Sequence, residues 1–344
     1  MKILISSHFF YPSIGGLERV SETLAREFVR QSHEVKLITH TSSSGATRLP
    51  FKVDRKPKTL SLLKLLNWCD IYFHSNVSLR TAWPLLFIRK PWVVRHAVWI
   101  PRNSGLKNWR GYLKRFILRY ATCISISNAI AGHFSTPSVV IPNPYDGDIF
   151  YQMPEIPRDK DLVFVGRLVS DKGVHLLLEA LAKLKMQGHI LSLTVVGGGP
   201  EEIPLRRIAR KFGVYDQVYF AGIKQGKELT ALINAHQVMV VPSLWEEPFG
   251  VVALEGIACG CVVVGSEGGG LRDAIGRCGV TFPNGDVEAL AKIVADLFSN
   301  PDKMEVYRAQ ATMHLLSHTK ATVAGAYLQI FIAAYEGRKY DDIC

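Results

Sequence analysis

The stretch QVMVVPSLWEEPFGVVALEGIACGCVVVG (residues 237–265) predicts a strand, a loop, a helix and a second strand in succession. Its two ends are short, valine-rich apolar runs, which favour buried strands, and its middle contains the small residues of a closely packed helix. Strands that alternate with helices form parallel sheets, because a parallel connection has to cross over the sheet. The stretch therefore predicts part of a parallel α/β sheet.

The same alternation extends along the chain. Strand-like runs separated by helical stretches lie at 2–6, 34–39, 70–75, 92–97, 122–127, 162–166 and 191–197. Between the fifth and sixth runs, residues 141–161 are rich in Pro, Asp and Gly, which is typical of an interdomain linker. We predict two Rossmann-like, doubly wound α/β domains that face a central cleft, with ligands at the carboxyl ends of the strands. The expected domains are 1–156 and 157–324, and a final helix at about 325–344 should pack back on the first domain.

Composition and charge narrow the class of protein. Of the 344 residues, 48% are hydrophobic and 21% charged, as in globular enzymes. The six cysteines lack paired spacing, which favours reduced thiols in a cytosolic protein, and we find neither a signal peptide nor a run that could span a bilayer. Residues 1–150 contain 21 Lys and Arg against 8 Asp and Glu, a net charge of +13, whereas the remainder carries −2. This asymmetry predicts an anionic partner for the first half.

Two cations follow the strand-like run at 162–166. Arg167 should stand at the carboxyl end of that strand and Lys172 in the next turn, before a helix that opens at Gly173. A planar guanidinium and an ammonium group at such a position suit a diphosphate, although a solvated loop is the alternative. Near the amino terminus, Gly16 could let a ligand approach the start of the first helix, or could simply form a tight turn.

Glu247 and Glu255 stand eight residues apart across the loop and helix of the opening stretch. A carboxylate beside apolar surface needs a partner, and each could accept two hydroxyls of a sugar. A helix start at Gly250, next to Phe249, would direct N–H groups toward the same ligand. For an isolated pair of glutamates, however, a capping carboxylate and a solvated side chain would be the better explanation.

Seven segments of the chain carry a joint resemblance. They are IGGLE, SNAIAGHF, IPNPYDGDIF, FVGRLVSDKGVHLLLEA, VVGGGPEE, EEPFGVVALEGIACGCVVV and EGGGLRDAIG. Together they resemble family 4 glycosyltransferases of the GT-B fold, in which they occur in the same order. The resemblance runs from residue 1 to about 290 and is strongest from 162 to 285. It implies a retaining hexosyltransferase that uses a UDP- or GDP-type sugar donor and a lipid-linked or cell-surface glycan acceptor.

The resemblance also implies roles for single residues, with the first domain on the acceptor side and the second binding the nucleotide sugar. Arg167 and Lys172 match the family's diphosphate-binding pair, and Glu255 matches the glutamate that binds the ribose. Glu247 matches the glutamate that contacts the donor sugar, beside loop contacts from Phe249 and Gly250. Gly16 matches the glycine loop on the phosphate side, and His96 matches a histidine near the transferred sugar. Two departures are Ala97, where the family often has Asp, and the turn Gly269-Gly270-Leu271-Arg272-Asp273, usually Gly-Gly-x-Pro-Glu.

The leaving group of such a reaction is a nucleoside diphosphate. Arg167, Lys172 and helix N-termini can stabilise its developing negative charge in place of a metal ion. No DxD-like carboxylate pair stands at a predicted strand end. We therefore expect neither an obligatory metal ion nor another cofactor.

The acceptor side is expected to involve the segment LKNWRGYLKRFILRYA (106–121). A helix at this point of the alternation must cover a sheet, so we expect its apolar stripe to pack on the core. The cations of residues 107–119 could then face an anionic membrane surface. This predicts a cytoplasmic protein, peripheral at the inner face of the plasma membrane, with a soluble acceptor as the alternative. The stripe consists of Trp109, Tyr112, Leu113, Phe116, Ile117 and Tyr120.

Two other classes of function fit parts of the sequence. A nucleotide-sugar epimerase could share the architecture, but it needs no acceptor and would form an isomer from the donor alone. Nucleic-acid binding by the basic half has only the charge in its favour, since no stacking-aromatic or zinc pattern accompanies it. We therefore expect a nucleotide sugar, and no nucleic acid, as partner.

Overall fold

The computed structural model describes residues 1–11, 16–42, 48–100 and 109–338, except for the side chains of Leu17, Trp109 and Arg110. The chain forms two compact units. Unit 1 comprises Met1–Pro144 and the chain from Lys320 onward, and unit 2 comprises Tyr145–Thr319.

The described part of unit 1 contains a seven-stranded parallel sheet in the order β3-β2-β1-β4-β5-β6-β7. Strands β2 and β3 lie on one side of β1, and β4 to β7 follow on its other side, so the topological switch point lies between β1 and β4. The strands are β1 (Lys2–Ser6), β2 (Glu34–Thr39), β3 (Lys52–Arg55), β4 (Ile71–His74), β5 (Trp92–His96), β6 (Thr122–Ser125) and β7 (Val139–Val140). The helices are α1 (Gly16–Arg30), α2 (Thr59–Trp68), α3 (Leu79–Ala82), α4 (Trp109–Ile117) and α5 (Asn128–His133).

Unit 2 contains a six-stranded parallel sheet in the order β10-β9-β8-β11-β12-β13, with its switch point between β8 and β11. The strands are β8 (Lys160–Val165), β9 (Leu193–Val196), β10 (Val218–Gly222), β11 (His236–Val241), β12 (Val262–Ser266) and β13 (Gly279–Phe282). The helices are α6 (Val174–Met186), α7 (Glu202–Lys211), α8 (Gly226–Asn234), α9 (Val251–Ala258), α10 (Leu271–Ile275), α11 (Val287–Ser299), α12 (Pro301–Ala309) and α13 (Ala311–Leu316).

A last helix, α14 (Lys320–Tyr335), packs within unit 1. The rings of Phe331 and Phe28 on α1 lie 5.3 Å apart, and those of Tyr327 and Phe73 on β4 lie 5.6 Å apart. All four side chains are buried in the core of this unit. Burial of large aromatic side chains is therefore what holds the end of the described chain on the first sheet.

The second unit begins earlier in the chain than the second domain predicted from the sequence, which was expected to start at residue 157. Residues 145–156 belong to unit 2 because α8 holds their backbone. The hydroxyl of Thr230 donates to the carbonyl of Ile149 (2.8 Å), and the amide of Met153 donates to Asn234 Oδ1 (2.8 Å). The second boundary falls at Lys320, five residues before the predicted helix start.

The predicted fold class is confirmed, since both sheets are parallel and doubly wound. The sequence-based prediction missed the strands at or near the sheet edges. Residues 52–55 read KVDR, and none of them is buried, so they lack the apolar signal of a central strand. Strands β7, β10 and β13 are similarly short or only partly buried.

Helix α4 contradicts the expected packing of the aromatic stripe. Tyr112 and Phe116 are 55% and 52% exposed, and Tyr120 in the turn that follows is 74% exposed. Leu118 is the fully buried side chain of this segment. The prediction that the stripe packs on the core was therefore wrong for these three aromatic residues.

Not every cation of the same segment is available to face a membrane surface. The Arg115 guanidinium donates to the carbonyl of Ile100 (2.7 Å) and lies 3.1 Å from His133 Nε2. Residues 107 and 108 and the side chains of Trp109 and Arg110 lie outside the described part of the chain. Within that part, no helix combines the length and the apolar character needed to cross a bilayer.

Candidate active site

The loops after β8 and β9 interlock at the carboxyl edge of the second sheet. The amide of Gly166 donates to the carbonyl of Val196, and the amide of Leu168 donates to the carbonyl of Gly198, each at 3.0 Å. Arg167 lies between the two residues that form these hydrogen bonds, so its backbone is fixed. Its side chain is exposed and makes no ion pair or hydrogen bond with the residues that the structure describes. Arg167 therefore presents an available guanidinium at this edge.

The turn that carries Lys172 is fixed by a glycine. A short 3-10 turn, Ser170–Lys172, ends at Gly173, whose φ of 68° lies in the left-handed region. A Cβ atom at Gly173 would lie 1.9 Å from the carbonyl oxygen of Pro242, the residue after β11. Only glycine permits this approach, which brings the loop after β8 against the loop after β11, on the two sides of the switch point.

Lys172 and Glu247 form an ion pair across that switch point. The side chains are 22% and 15% exposed, so solvent screens the pair only in part. Ser243 donates a hydrogen bond to the same carboxylate oxygen, Glu247 Oε1, at 2.9 Å. The residues that the sequence assigned to the diphosphate and to the donor sugar thus lie within one cluster.

The backbone of Glu247 is held by the glycine-rich turn after β12. Gly269 pairs with Glu247 in an isolated parallel bridge, and the amide of Gly270 donates to the carbonyl of Glu247 at 2.7 Å. With its φ of 71°, Gly269 could not carry a side chain, because a Cβ atom would lie 2.2 Å from that same carbonyl oxygen. The departures at Arg272 and Asp273 therefore leave the support of Glu247 intact.

Phe249 and Gly250 lead into α9, which begins at Val251. The Phe249 ring is only 2% exposed and lies 5.9 Å from the imidazole of His318, so it packs inside the unit. Any contact of Phe249 with a ligand would have to come from its backbone. Glu255 lies on α9 and is partly buried.

The other two predicted residues belong to the carboxyl edge of unit 1. His96 ends β5 and is 2% exposed, with its ring stacked on Phe134 at 3.9 Å. Burial lowers the pKa of His96 to about 4, and the charges of Arg115 and His133 act in the same direction. The imidazole is therefore neutral near pH 7 and can donate or accept a hydrogen bond there. Gly16 is the first residue of α1, and a Cβ atom added to it would meet no atom within 4 Å in the part of the chain that the structure describes.

Sequence reasoning missed several residues at both edges. In unit 2 these are Ser243 and Asp171, whose carbonyl accepts hydrogen bonds from the amides of Leu244 (2.9 Å) and Trp245 (3.2 Å). Asp171 could have been noticed, since it lies inside the segment that carries Arg167 and Lys172. In unit 1 Arg80 was missed, and Lys114, one of the cations expected to face a membrane, instead is partly buried and lines a pocket of about 710 Å³ together with Arg80 and His96. No motif links those two positions.

Comparisons with known proteins identify a sequence family that resembles part of this chain. Residues 149–314 match the family described as Glycosyl transferases group 1. The chain is 36% identical over 182 residues to a glycogen synthase of Mycobacterium tuberculosis, a match that covers 52% of this chain and 44% of that protein. It therefore spans less than half the length of that relative. It is also 28% identical over 324 residues to an uncharacterized glycosyltransferase of Methanocaldococcus jannaschii, which covers 80% of this chain and 83% of that protein.

A solved structure extends the likeness to the whole fold. The Anabaena protein HepE in complex with UDP superposes with a TM-score of 0.80 at 20% identity, and the match covers 97% of this chain and all of that one. The same Anabaena protein has also been solved in complex with UDP-glucose. At this level of identity the comparison establishes the fold.

Proposed function

We propose that this chain, which has the GT-B fold and matches the family Glycosyl transferases group 1 over residues 149–314, belongs to that family and is a retaining hexosyltransferase. In this proposal, unit 2 binds a UDP- or GDP-type sugar and unit 1 binds the acceptor, a lipid-linked or cell-surface glycan. The observation that carries the proposal is the cluster at the switch point of unit 2. There, Lys172 pairs with Glu247, and Arg167, in the same loop after β8, is exposed.

The cluster suits a nucleoside-diphosphate sugar because it offers both kinds of group that such a donor needs. The Lys172 ammonium and the Arg167 guanidinium provide donors for phosphate oxygens. The Glu247 carboxylate provides an acceptor for sugar hydroxyls, and Ser243 together with Lys172 holds one of its oxygens. Lys172 would then bridge the diphosphate and the glutamate.

Such an arrangement also suits the chemistry of transfer. As the bond between the sugar and the diphosphate breaks, negative charge develops on the leaving group, and the two cations stabilise it. We propose that no metal ion is required, and activity that persists in excess EDTA would support this part. Retention of configuration would follow from attack on the same face as the leaving group, with a donor phosphate oxygen accepting the proton of the acceptor.

Binding and slow hydrolysis of donors give the most direct test. A panel of UDP- and GDP-hexoses would be titrated into the chain by calorimetry, and the best ligand would then be incubated without acceptor. We expect one nucleotide class to bind and the released hexose to appear first with the anomeric configuration of the donor, as NMR can record before mutarotation. Release of the opposite anomer would contradict retention, and conversion of the donor into an isomeric nucleotide sugar would indicate an epimerase.

Substitution of the two glutamates should affect two different quantities, nucleotide binding and turnover. Glu255→Ala should weaken binding of the free nucleoside diphosphate, since this residue is assigned to the ribose. Glu247→Ala should reduce turnover and spare binding of the free nucleotide, since this residue is assigned to the sugar. Glu288→Ala, which removes the exposed partner of Lys183 on the same unit, is a control that should change neither quantity. The opposite pattern would exchange the two assignments.

We further propose that unit 1 associates peripherally with an anionic membrane surface. The support is the exposed set Tyr112, Phe116 and Tyr120 beside Arg119, whose guanidinium lies 5.8 Å from the Phe116 ring. Aromatic rings flanked by cations are typical of interfacial segments, and each cation near an anionic leaflet contributes about 1 kcal/mol.

Co-sedimentation with vesicles tests the membrane proposal. We expect binding to vesicles rich in phosphatidylglycerol that fades at high salt, and weaker binding for the double variant Phe116→Ser, Arg119→Gln. Arg30→Gln removes a cation that is also exposed on unit 1 but lies on α1, and it should bind like the unmodified chain. Arg115 is unsuitable for this test because it supports the carbonyl of Ile100. Equal binding to neutral and anionic vesicles, or none to either, would contradict the proposal.

A further inference from the structure

A large pocket lies at the switch point of the first sheet. Its volume is about 710 Å³, and its walls come from the segments after β1 and β4, from His96 at the end of β5 and from α4. Sheets of this kind bind ligands at such a position. Two of the lining side chains are cations, Arg80 after β4 and Lys114 on α4.

Neither cation forms an ion pair with a described residue. Arg80 is exposed, Lys114 is partly buried, and neither makes an ion pair or hydrogen bond through its side chain within the described part of the chain. Burial lowers the pKa of Lys114, so its ammonium group lacks the stabilisation that a nearby carboxylate would give. Glu18 is the one carboxylate among the described lining residues.

A third cation lies beneath the pocket. Arg95 on β5 is fully buried and donates to Ser75 Oγ at 3.2 Å and to Asn143 Oδ1 at 2.7 Å. Both partners are neutral, and Arg95 Nε has no hydrogen-bond partner among the described residues. Ser75 itself lines the pocket. Since a charge acts more strongly through the low-dielectric interior than through water, Arg95 adds positive potential to the pocket.

The positive charges of the pocket also affect two histidines. Burial lowers the pKa of His8, which lines the pocket, and the charges of Arg80 and Lys114 lower it further. The pKa of His40, whose ring lies 5.3 Å from that of His8, is lowered by burial, by His8 and by Arg80. Both imidazoles can therefore serve as neutral hydrogen-bonding groups next to the cations.

We infer that this pocket binds a phosphate group of the acceptor, held by Arg80 and Lys114. The inference rests on the proposed transferase function and deepens it, since it names the chemical class of the acceptor as a phosphate-bearing polyol. A phosphate monoester carries up to two negative charges and three acceptor oxygens, which matches two unpaired cations and several small hydroxyl side chains. The phosphate could belong to a soluble molecule or to a lipid headgroup.

Matched pairs of probes test the inference by calorimetry on the full chain. Glycerol 3-phosphate and glycerol differ only in the phosphate, and short-chain phosphatidic acid below its critical micelle concentration represents a lipid whose headgroup is a phosphate monoester. We expect glycerol 3-phosphate, the short-chain lipid or both to bind, and glycerol not to bind. Tighter binding of one of the two phosphates would identify the source. Equal binding of glycerol and glycerol 3-phosphate would overturn the inference.

Substitutions then locate the bound phosphate. Arg80→Gln and Lys114→Gln should each weaken binding about tenfold, as expected for loss of one charge-assisted contact. Arg30→Gln on α1 and Lys183→Met in unit 2, neither of which is assigned to a ligand, should leave it unchanged. If instead Lys172→Met abolishes the binding and Arg80→Gln does not, the phosphate occupies unit 2 and the inference fails.

Failure of the transferase proposal would look different. In that case no UDP or GDP sugar would bind in unit 2, while the Arg80-dependent binding of glycerol 3-phosphate would persist and support the phosphate site alone. Binding of nucleotide sugars without any phosphate binding in unit 1 would overturn the pocket inference and leave the transferase intact.

Discussion

The carboxyl edges of the two sheets are built in different ways. In unit 2 the edge is made of backbone, because the loops after four strands are connected to each other by amide–carbonyl hydrogen bonds and by glycines such as Gly173 and Gly269 that approach neighbouring carbonyls. In unit 1 the edge is a pocket whose character comes from side chains, chiefly Arg80, Lys114 and the buried Arg95.

This difference explains what each edge can do. A backbone scaffold holds Lys172 and Glu247 in one geometry, which suits a donor whose diphosphate is common to many substrates. A pocket lined by side chains changes its chemistry with single substitutions, which suits recognition of one particular acceptor. We therefore expect substitutions at the edge of unit 2 to lower mainly the free energy of unfolding. Substitutions at the edge of unit 1 should change mainly which ligand binds.

The largest effect is expected at Gly173. Gly173→Ala would place a Cβ atom 1.9 Å from the Pro242 carbonyl oxygen at a φ of 68°. We expect a loss of about 4 kcal/mol in the free energy of unfolding, from backbone strain and forced displacement together. Urea unfolding monitored by circular dichroism measures it. Gly213→Ala, where φ is also 68° but a Cβ atom would meet nothing within 4 Å, isolates the strain alone and should cost less. Equal costs would mean that the contact with Pro242 is not tight.

Acid should destabilise both units, whatever the difference between their carboxyl edges. Burial lowers the pKa of His74 in unit 1 to about 3 and that of His236 in unit 2 to about 4, from 6.5. As pH falls below about 6.5, protons bind the unfolded chain first, so stability is full above that value and is lost toward pH 4. The loss approaches about 1.4 kcal/mol per pH unit for each such histidine.

Urea unfolding at pH 7, 6 and 5 tests this dependence. His74→Leu and His236→Leu should each flatten the fall in unfolding free energy, because each removes one titrating group. The matched pair also separates the two environments. His236 has hydrogen-bond contacts with Leu232 (2.7 Å) and Thr194 (2.8 Å), whereas neither ring nitrogen of His74 has a partner among the described residues. His236→Leu should therefore cost more stability at pH 7, and the reverse order would contradict this description.

Much of the fold could be predicted from the sequence because central parallel strands are apolar on both faces. Strand β11 is buried along almost its whole length and has a clear apolar signal, whereas β3 has none of its residues buried and was missed. The aromatic residues of α4 were misplaced because a periodic stripe does not say which face of a short helix meets the sheet.

The candidate site divides in the same way. Residues of unit 2 could be proposed from the sequence because they lie in segments that resemble those of a known family, and Lys172 also precedes a glycine, Gly173, that its loop requires. The pocket of unit 1 could not be predicted, since Arg80 and Lys114 are 34 positions apart and converge only through the order of the strands. The ion pair between Lys172 and Glu247, 75 positions apart, was likewise out of reach.

The smallest effect on stability is expected at Gly16. Gly16→Ala should change the unfolding free energy by less than about 1 kcal/mol, because the added methyl group meets none of the described residues within 4 Å and alanine favours helices. If a ligand approaches the start of α1, the same variant should nevertheless raise the KM for the donor. Unchanged kinetics in the folded variant would remove Gly16 from the site, and a large loss of stability would contradict the open space around it.

Calorimetric titration of UDP and GDP into the Lys172→Met variant tests the central claim most directly. Lys172 and Lys183 each pair with a glutamate in unit 2, but Lys183 lies on α6 with its partner Glu288 exposed, so Lys183→Met is the matched control. We predict that one nucleotide binds the unmodified chain, that Lys172→Met weakens this binding by about 1.5–3 kcal/mol, and that Lys183→Met leaves it unchanged. Unaltered affinity in a folded Lys172→Met variant would contradict the assignment of this cluster to the donor diphosphate.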